Sequence, residues 1–212
     1  MSGTVGRVAV VLFEGFTVLD AYGPIQAFGS CSRRGTDGKR HRLFQIFTVA
    51  EQPGAVRSGE GPATHADHAF ADAPPCDILL VPGGFGTREA VENDAFLQQL
   101  ARASARATVT ATVCTGSALL ARTGLLDGRP ATSNKIAWEW VVAQGPRVRW
   151  QRRARWVDDG GIVTASGVSA GTDMALALIA RLHDRDTALD AARSMEYVWS
   201  EDPSNDPFAG DG

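Results

Sequence analysis

Cys114 stands at the end of the run TVTATV and is followed by Thr115, Gly116 and Ser117 and then by ALLAR. The β-branched residues Thr108, Val109, Thr110, Thr112 and Val113 predict a short buried strand over 108–113. Small and N-capping residues followed by apolar 118–121 predict a helix over 115–123, closed by Gly124. A cysteine at such a junction has its sulfur near unpaired N–H groups and the positive end of a helix dipole, and both favour the reactive thiolate. The arrangement is that of a hydrolase nucleophile elbow with sulfur in place of the serine oxygen. The competing reading is a buried, inert thiol.

Two further stretches supply groups such a nucleophile needs. The segment 82–88, PGGFGTR, follows an apolar strand, so its glycines can turn backbone N–H groups toward a ligand. Gly84 is the candidate oxyanion donor opposite the sulfur, against the alternative of a plain glycine turn. The spacing does not fit a dinucleotide fingerprint. Asp20, in VLDAYGP, is the candidate acid, although from the residues alone a cap on the following helix is the favoured reading; Glu14 lies on the same loop. None of the four histidines, His41, His65, His68 and His183, is tied to Cys114 by spacing. His65 and His68 lack a third ligand in sequence, so no metal is expected.

The elements that must carry these residues alternate. Residues 7–13, 42–49, 77–81 and 108–113 read as strands, the first a near-continuous apolar run suited to a parallel strand covered on both faces. Residues 58–69 read as a hairpin and 129–132 as a brief strand. Trp156 and 162–165 pair around the Asp158-Asp159-Gly160-Gly161 turn. Helices are expected over 20–29, 93–105, 135–142, 172–182 and 186–197, the fourth with Asp173 in its first turn. Strands alternating with helices predict a doubly wound, mostly parallel α/β sheet with helices on both faces and its site at the carboxyl ends of the strands. The loops after 7–13, 77–81 and 108–113 then converge.

A chain of 212 residues fits one domain, here 1–212, with a core over about 5–198 and a Pro-, Gly- and acid-rich tail over 199–212. Hydrophobic residues make up 44%, charged residues 21%, and the net charge is −3, so no nucleic-acid footprint is evident. The locally basic 147–155 is read as a solvated edge strand or hairpin. Three cysteines, Cys31, Cys76 and Cys114, suggest reduced thiols in a cytosolic setting. The N-terminus lacks a signal-peptide pattern, and no apolar run approaches membrane-spanning length.

Together PGGFGTR, VTATVCTGSALLARTGLLDGRPAT and TASGVSAGTDMALAL resemble the ThiJ/PfpI superfamily, which has a glutamine-amidotransferase-like, flavodoxin-like fold, and the resemblance covers nearly the whole chain. VLDAYGPIQAF and the ending SMEYVWSEDPSNDPF resemble its isonitrile hydratase branch, which has an aspartate where the deglycase and protease branches have a glutamate. The resemblance implies that Cys114 is the nucleophile, Asp20 the acid/base group bonded to it, and Thr115 the donor of a backbone N–H and a hydroxyl. Gly84, with Gly83, would supply the oxyanion side. Many relatives carry a histidine in a Thr-Thr-His setting where this chain has Asn134, so imidazole help for Cys114 is not available from that position.

The implied activity is hydration of an isonitrile to an N-substituted formamide through a Cys114 thioimidate, without a cofactor, in a cytoplasmic homodimer. The alternatives are hydration or deglycation of a small carbonyl compound, or a cysteine that senses oxidation without turnover. Some relatives are fused to helix-turn-helix domains, for which this chain leaves no room. Phe16, Trp138 and Trp140 are candidates for pocket or core.

Overall fold

The apolar run after Gly6 becomes strand β1 (Gly6–Val11), whose last four residues are buried. In the computed structural model, which describes residues 6–210, helix α1 (Val18–Ser30) follows. The ribbon of β2 (Ser32–Arg34) and β3 (Arg40–Arg42) then leads into β4 (Phe44–Ala50). A hairpin of β5 (Gly54–Arg57) and β6 (Ala63–Ala66) precedes the short β7 (His68–Ala69) and the fully buried β8 (Ile78–Val81). Helices α2 (Thr87–Ala90) and α3 (Asp94–Arg106) lead to β9 (Val109–Val113) and α4 (Gly116–Arg122). After β10 (Pro130–Ala131), α5 (Trp138–Gln144) and β11 (Arg149–Trp150) come β12 (Trp156–Asp158) and β13 (Ile162–Ala165). Helices α6 (Ala170–Leu182) and α7 (Arg185–Ser194) end the regular structure.

The main sheet runs β12-β13-β9-β8-β1-β4-β7, parallel except for the β12–β13 pair. This is the flavodoxin-like α/β arrangement expected from the alternating pattern. The chain leaves β1 for β4 on one side and returns to β8 on the other, so its winding reverses beside β1, where such sheets place their sites. Registry brings the strand ends together: Val10 faces Leu80, and Val81 faces Thr112. The loops after β1, β8 and β9 therefore open on one edge.

Several boundaries differ from the sequence reading, each for a local reason. The strand expected over 42–49 is divided, with β3 in an exposed ribbon and β4 in the sheet. The helix expected from residue 135 starts at Trp138, because Asn134 Oδ1 accepts the Ala137 N–H at 2.8 Å and the Lys135 side chain turns inward. Residues 1–5, part of the segment read for a leader, and 211–212, the end of the tail, lie outside the described residues.

The basic 147–155 segment, read as a solvated edge, keeps Arg147, Arg149, Arg152 and Arg153 exposed but not its last arginine. Arg155, in the basic 147–155 segment, is buried and donates through Nε (2.8 Å) and Nη2 (2.5 Å) to Asp173 Oδ2. The tail packs down on this pair. Trp199 Nε1 donates to Asp173 O at 3.1 Å, and the Ser200 N–H and Tyr197 hydroxyl donate to Asp173 Oδ1. Asp206, 3% exposed, accepts from Ser166 Oγ and faces Arg155 and Lys135 at 3.8 and 3.7 Å. Two acids and two bases thus neutralise one another out of water, the condition under which buried charge is tolerated. Asp173 serves this cluster rather than a free helix end.

Removing one member leaves the others uncompensated. Arg155→Leu is expected to cost about 3–5 kcal/mol, seen as a fall in the urea midpoint with little change in slope. A variant within 1 kcal/mol of the parent would show that the cluster contributes little to holding the tail.

Candidate functional site

Cys114 takes φ = 57°, one of two non-glycine residues with positive φ among those described. That left-handed conformation is strained for an L-residue and turns the side chain out of the strand direction at the start of α4. Its peptide groups are held firmly. The Cys114 N–H donates to Ser166 O at 2.7 Å, and its carbonyl accepts from Ser133 Oγ at 2.8 Å and Ser117 Oγ at 3.3 Å. Gly116 lets the turn close, since a Cβ there would lie 2.4 Å from Val81 O. Cys114 itself is 7% exposed.

Asp20, in the first turn of α1, is fully buried. Its Oδ2 accepts the Gly83 N–H at 2.9 Å, while Oδ1 has no regular hydrogen-bond partner. Burial pushes its carboxyl up from 3.8 to about 7, against the lowering effect of the Gly83 amide and the Cys114 thiol. The thiol is pushed well above its ordinary range, first by burial and then by the Asp20 charge; the Thr115 N–H and hydroxyl act the other way and do not offset them. The expectation that a helix terminus would yield a resting thiolate is therefore corrected. Desolvating a charge costs several kcal/mol, whereas a helix end contributes about 0.3–1 kcal/mol.

The glycine turn binds the two halves. Gly84 donates its N–H to Thr115 Oγ1 at 2.9 Å, and that hydroxyl also receives the Thr87 hydroxyl at 3.2 Å. In this arrangement the Gly84 amide is engaged by Thr115, and the Gly83 amide goes to the acid. A Cβ on Gly83 would lie 2.9 Å from Cys114 Cβ, so the turn and the elbow are in direct contact. Asn134 is half-buried and its Oδ1 serves the Ala137 N–H; no contact with Cys114 is formed by this group in the hydrogen-bond network described. Of the aromatic candidates, Phe16 is core, Trp138 is buried under Lys135 (5.1 Å to the ring), and half-buried Trp140 carries Arg88 over its ring at 4.4 Å.

The sequence reading missed three contributors. Ser133 and Ser166 hold the strained peptide, and Glu60, from the β5–β6 turn, acts on Asp20. Ser133 directly follows the GLLDGRPAT motif and Ser166 lies within TASGVSAGTDMALAL, whereas Glu60 lies outside every motif singled out. A cleft of about 400 Å³ beside the site is lined by Leu12, Phe13, Glu14, Glu51, Val56 and Phe96 among others, and not by Cys114. Among the described residues, no group of three or more His, Cys, Asp or Glu side chains could hold a metal, and no helix is long and apolar enough to cross a membrane.

Comparison with known proteins extends the picture. The chain is 29% identical over 192 residues to the isonitrile hydratase of Pseudomonas putida, covering 91% of this chain and 78% of that protein. It is 31% identical over 197 residues to the HTH-type transcriptional regulator GbdR of Pseudomonas aeruginosa, where the match covers 91% of this chain but only 50% of the regulator. Among solved structures, a THiJ/PfpI family protein from Pseudomonas syringae superposes with a TM-score of 0.80 at 31% identity, covering 93% of this chain and 77% of that one. A DJ-1 superfamily protein from Salmonella typhimurium gives 0.74 at 25%, covering 92% and 100%. A profile of the DJ-1/PfpI family matches residues 6–181, most of the length that carries the elbow and its partners, and the chain belongs to that family.

Proposed function

We propose that the protein hydrates an isonitrile to an N-substituted formamide, a hydro-lyase reaction, with Cys114 as nucleophile and Asp20 as the acid/base group. The observation that carries this reading is the pairing of a buried carboxyl, poised at about 7, with a buried thiol at a strained elbow. A carboxyl and a thiol that each act on the other's ionisation suit a step that must move one proton in each direction. The similarity to a hydratase over most of both chains supports the choice of substrate.

The balance is simple. The thiol sulfur bonds to the terminal carbon of R–N≡C, and the thiol proton, passed through the Asp20 carboxyl, ends on that carbon, giving the thioimidate R–N=CH–S–Cys114. Water then adds to the same carbon, and one of its protons passes through the Asp20 carboxyl to the imine nitrogen, giving R–NH–CH(OH)–S–Cys114. As the C–S bond breaks the hydroxyl proton passes to the sulfur, releasing the formamide R–NH–CHO and the free thiol. The uncharged carbon nucleophile acceptor needs no preformed thiolate, only proton removal in step with attack. Thr115 and the Gly83–Gly84 turn support the nucleophile. The same reading makes the protein a cytoplasmic homodimer acting on a small molecule without a cofactor; the exposed Phe85 and Ile136, 81% and 98% accessible, support an assembly surface.

A second reading, small-molecule binding without turnover, draws support from the deep burial of Cys114 and from the regulator similarity. Assay separates them. With an alkyl isonitrile and product detection by mass spectrometry, Cys114→Ala is expected to abolish formamide formation, and Asp20→Asn to lower kcat by roughly 10²–10⁴-fold with the fold intact. Wild-type protein that binds isonitrile but forms no formamide refutes the hydratase assignment.

The raised carboxyl also has a stability consequence. A carboxyl held up in the folded state keeps its proton while the unfolded chain loses one, so folding stability is full below about 4 and declines as pH rises toward 7. Asp20→Asn removes that decline. Its thermal midpoint is expected to match wild type near pH 4 and to exceed it at pH 8, by an amount on the order of a few kcal/mol in unfolding free energy. Equal midpoints at both pH values would contradict a buried, proton-holding Asp20.

A further inference from the structure

The β5–β6 hairpin contributes nothing to the main sheet, yet its turn is fastened to the loop that leads into α1. Gly59 N–H donates to Phe16 O at 2.8 Å, Gly15 N–H donates to Arg57 O at 2.8 Å, and Phe16 and Ser58 form an isolated parallel bridge. One side chain reaches further. Glu60 Oε2 accepts the Val18 N–H at 2.9 Å across 42 positions of sequence. Val18 is the first residue of α1, and Thr17, at the N-cap position, makes no side-chain cap. A carboxylate from another element therefore satisfies a helix-start N–H that the local sequence leaves open. Asp20 is two residues on.

We propose that Glu60 is a positioning residue for Asp20, fixing the first turn of α1 so that the acid is held at Cys114 and placing a second negative charge beside it. The proposal rests on the reading of Asp20 as the acid/base group. Two carboxylates in one site resist ionising together, and the Glu60 charge acts on Asp20 in the same direction as burial, though as the smallest of the causes. The other titratable group acting on Asp20 is Cys114, from the elbow. From α6, which packs on α1, the residue met at Gly23 is the uncharged Thr172, and neighbouring Asp173 is paired with Arg155. Glu14, on the preceding loop, accepts the Arg57 N–H at 3.2 Å. Glu60 is exposed, so its replacement leaves the core untouched.

The test uses the whole chain and needs no substrate. Alkylation of Cys114 by iodoacetamide is followed from pH 5 to 10, with mass spectrometry of the Cys114 peptide separating it from Cys31 and Cys76. Wild type, E60Q, E60A, D20N and D20N/E60Q are compared. E60Q keeps an oxygen for the Val18 N–H and loses the charge, so the step contributed by Asp20 is expected to move down by roughly half a pH unit, and by less in 1 M salt. E60A shows the same move together with a several-fold change in alkylation rate, as the helix start loses its cap. D20N abolishes the step, and E60Q added to D20N then changes nothing. An unmoved step in E60Q, or the same change in the D20N background, overturns the proposal. A step that moves as stated in protein that converts no isonitrile upholds the Glu60 assignment while the hydratase reading fails.

Discussion

The backbone of Cys114 is the constraint on which the surrounding structure depends. A non-glycine residue in the left-handed region costs about 1–3 kcal/mol and persists only where its neighbours leave no alternative. Here both of its peptide groups are taken: Ser166 O receives its N–H, and Ser133 and Ser117 reach its carbonyl. Those partners are in turn fixed from behind. Lys135 Nζ donates to Ser133 O at 3.1 Å and to Ala154 O at 2.8 Å, and Asp206 bonds Ser166 Oγ. The buried charge cluster under the tail and the strained elbow are two ends of one network. Stability placed in Arg155, Asp173 and Asp206 is what keeps the sulfur aimed.

That aim is obtained in a site too dry for a free charge. Burial outweighs the local donors for the thiol and raises the carboxyl of Asp20, so the thiol rests protonated while the carboxyl sits near neutrality. In the mechanism proposed above, the nucleophile acts only when its proton can leave in the same step. A carboxyl poised near neutrality is suited to receive it; a helix terminus is not, because a dipole supplies field but no proton acceptor. With Asn134 engaged as a turn cap, Asp20 is the group to which the proposal assigns the proton at this edge of the sheet.

The order of strands and the elbow were legible because both leave local signatures: the apolar runs of β1 and β8, the β-branched run of β9, and the small residues around Cys114. The DDGG turn between β12 and β13 was equally plain. What could not be read were contacts between charged residues far apart in sequence. Arg155 among other arginines and Asp206 in an acidic tail look like solvated surface, and only the packing of the tail on α6 takes them out of water. Glu60 sits in SGEGP, a composition that announces a turn and nothing about the helix start it caps. The electrostatics of Cys114 were misjudged for the same reason, since burial is a property of the whole fold whereas a helix end is visible in six residues.

The relatives include a hydratase and regulators at similar identity, so similarity of this order spans different tasks. In this chain the elbow is a backbone device, set by sheet register, close glycine contacts and hydroxyls on peptide groups, and a fold can host more than one task. Reaction chemistry depends on who exchanges a proton with the sulfur, and that is decided by few side chains. In this chain they come from separate elements: Asp20 from α1, its amide partner Gly83 from the turn after β8, and Glu60 from the β5–β6 hairpin. A change in any one alters the proton inventory of the site without disturbing the strand order that defines the family. Overall identity therefore speaks to the fold, and on the reading proposed above the carboxylates around α1 are what would make the thiol beneath them turn over substrate.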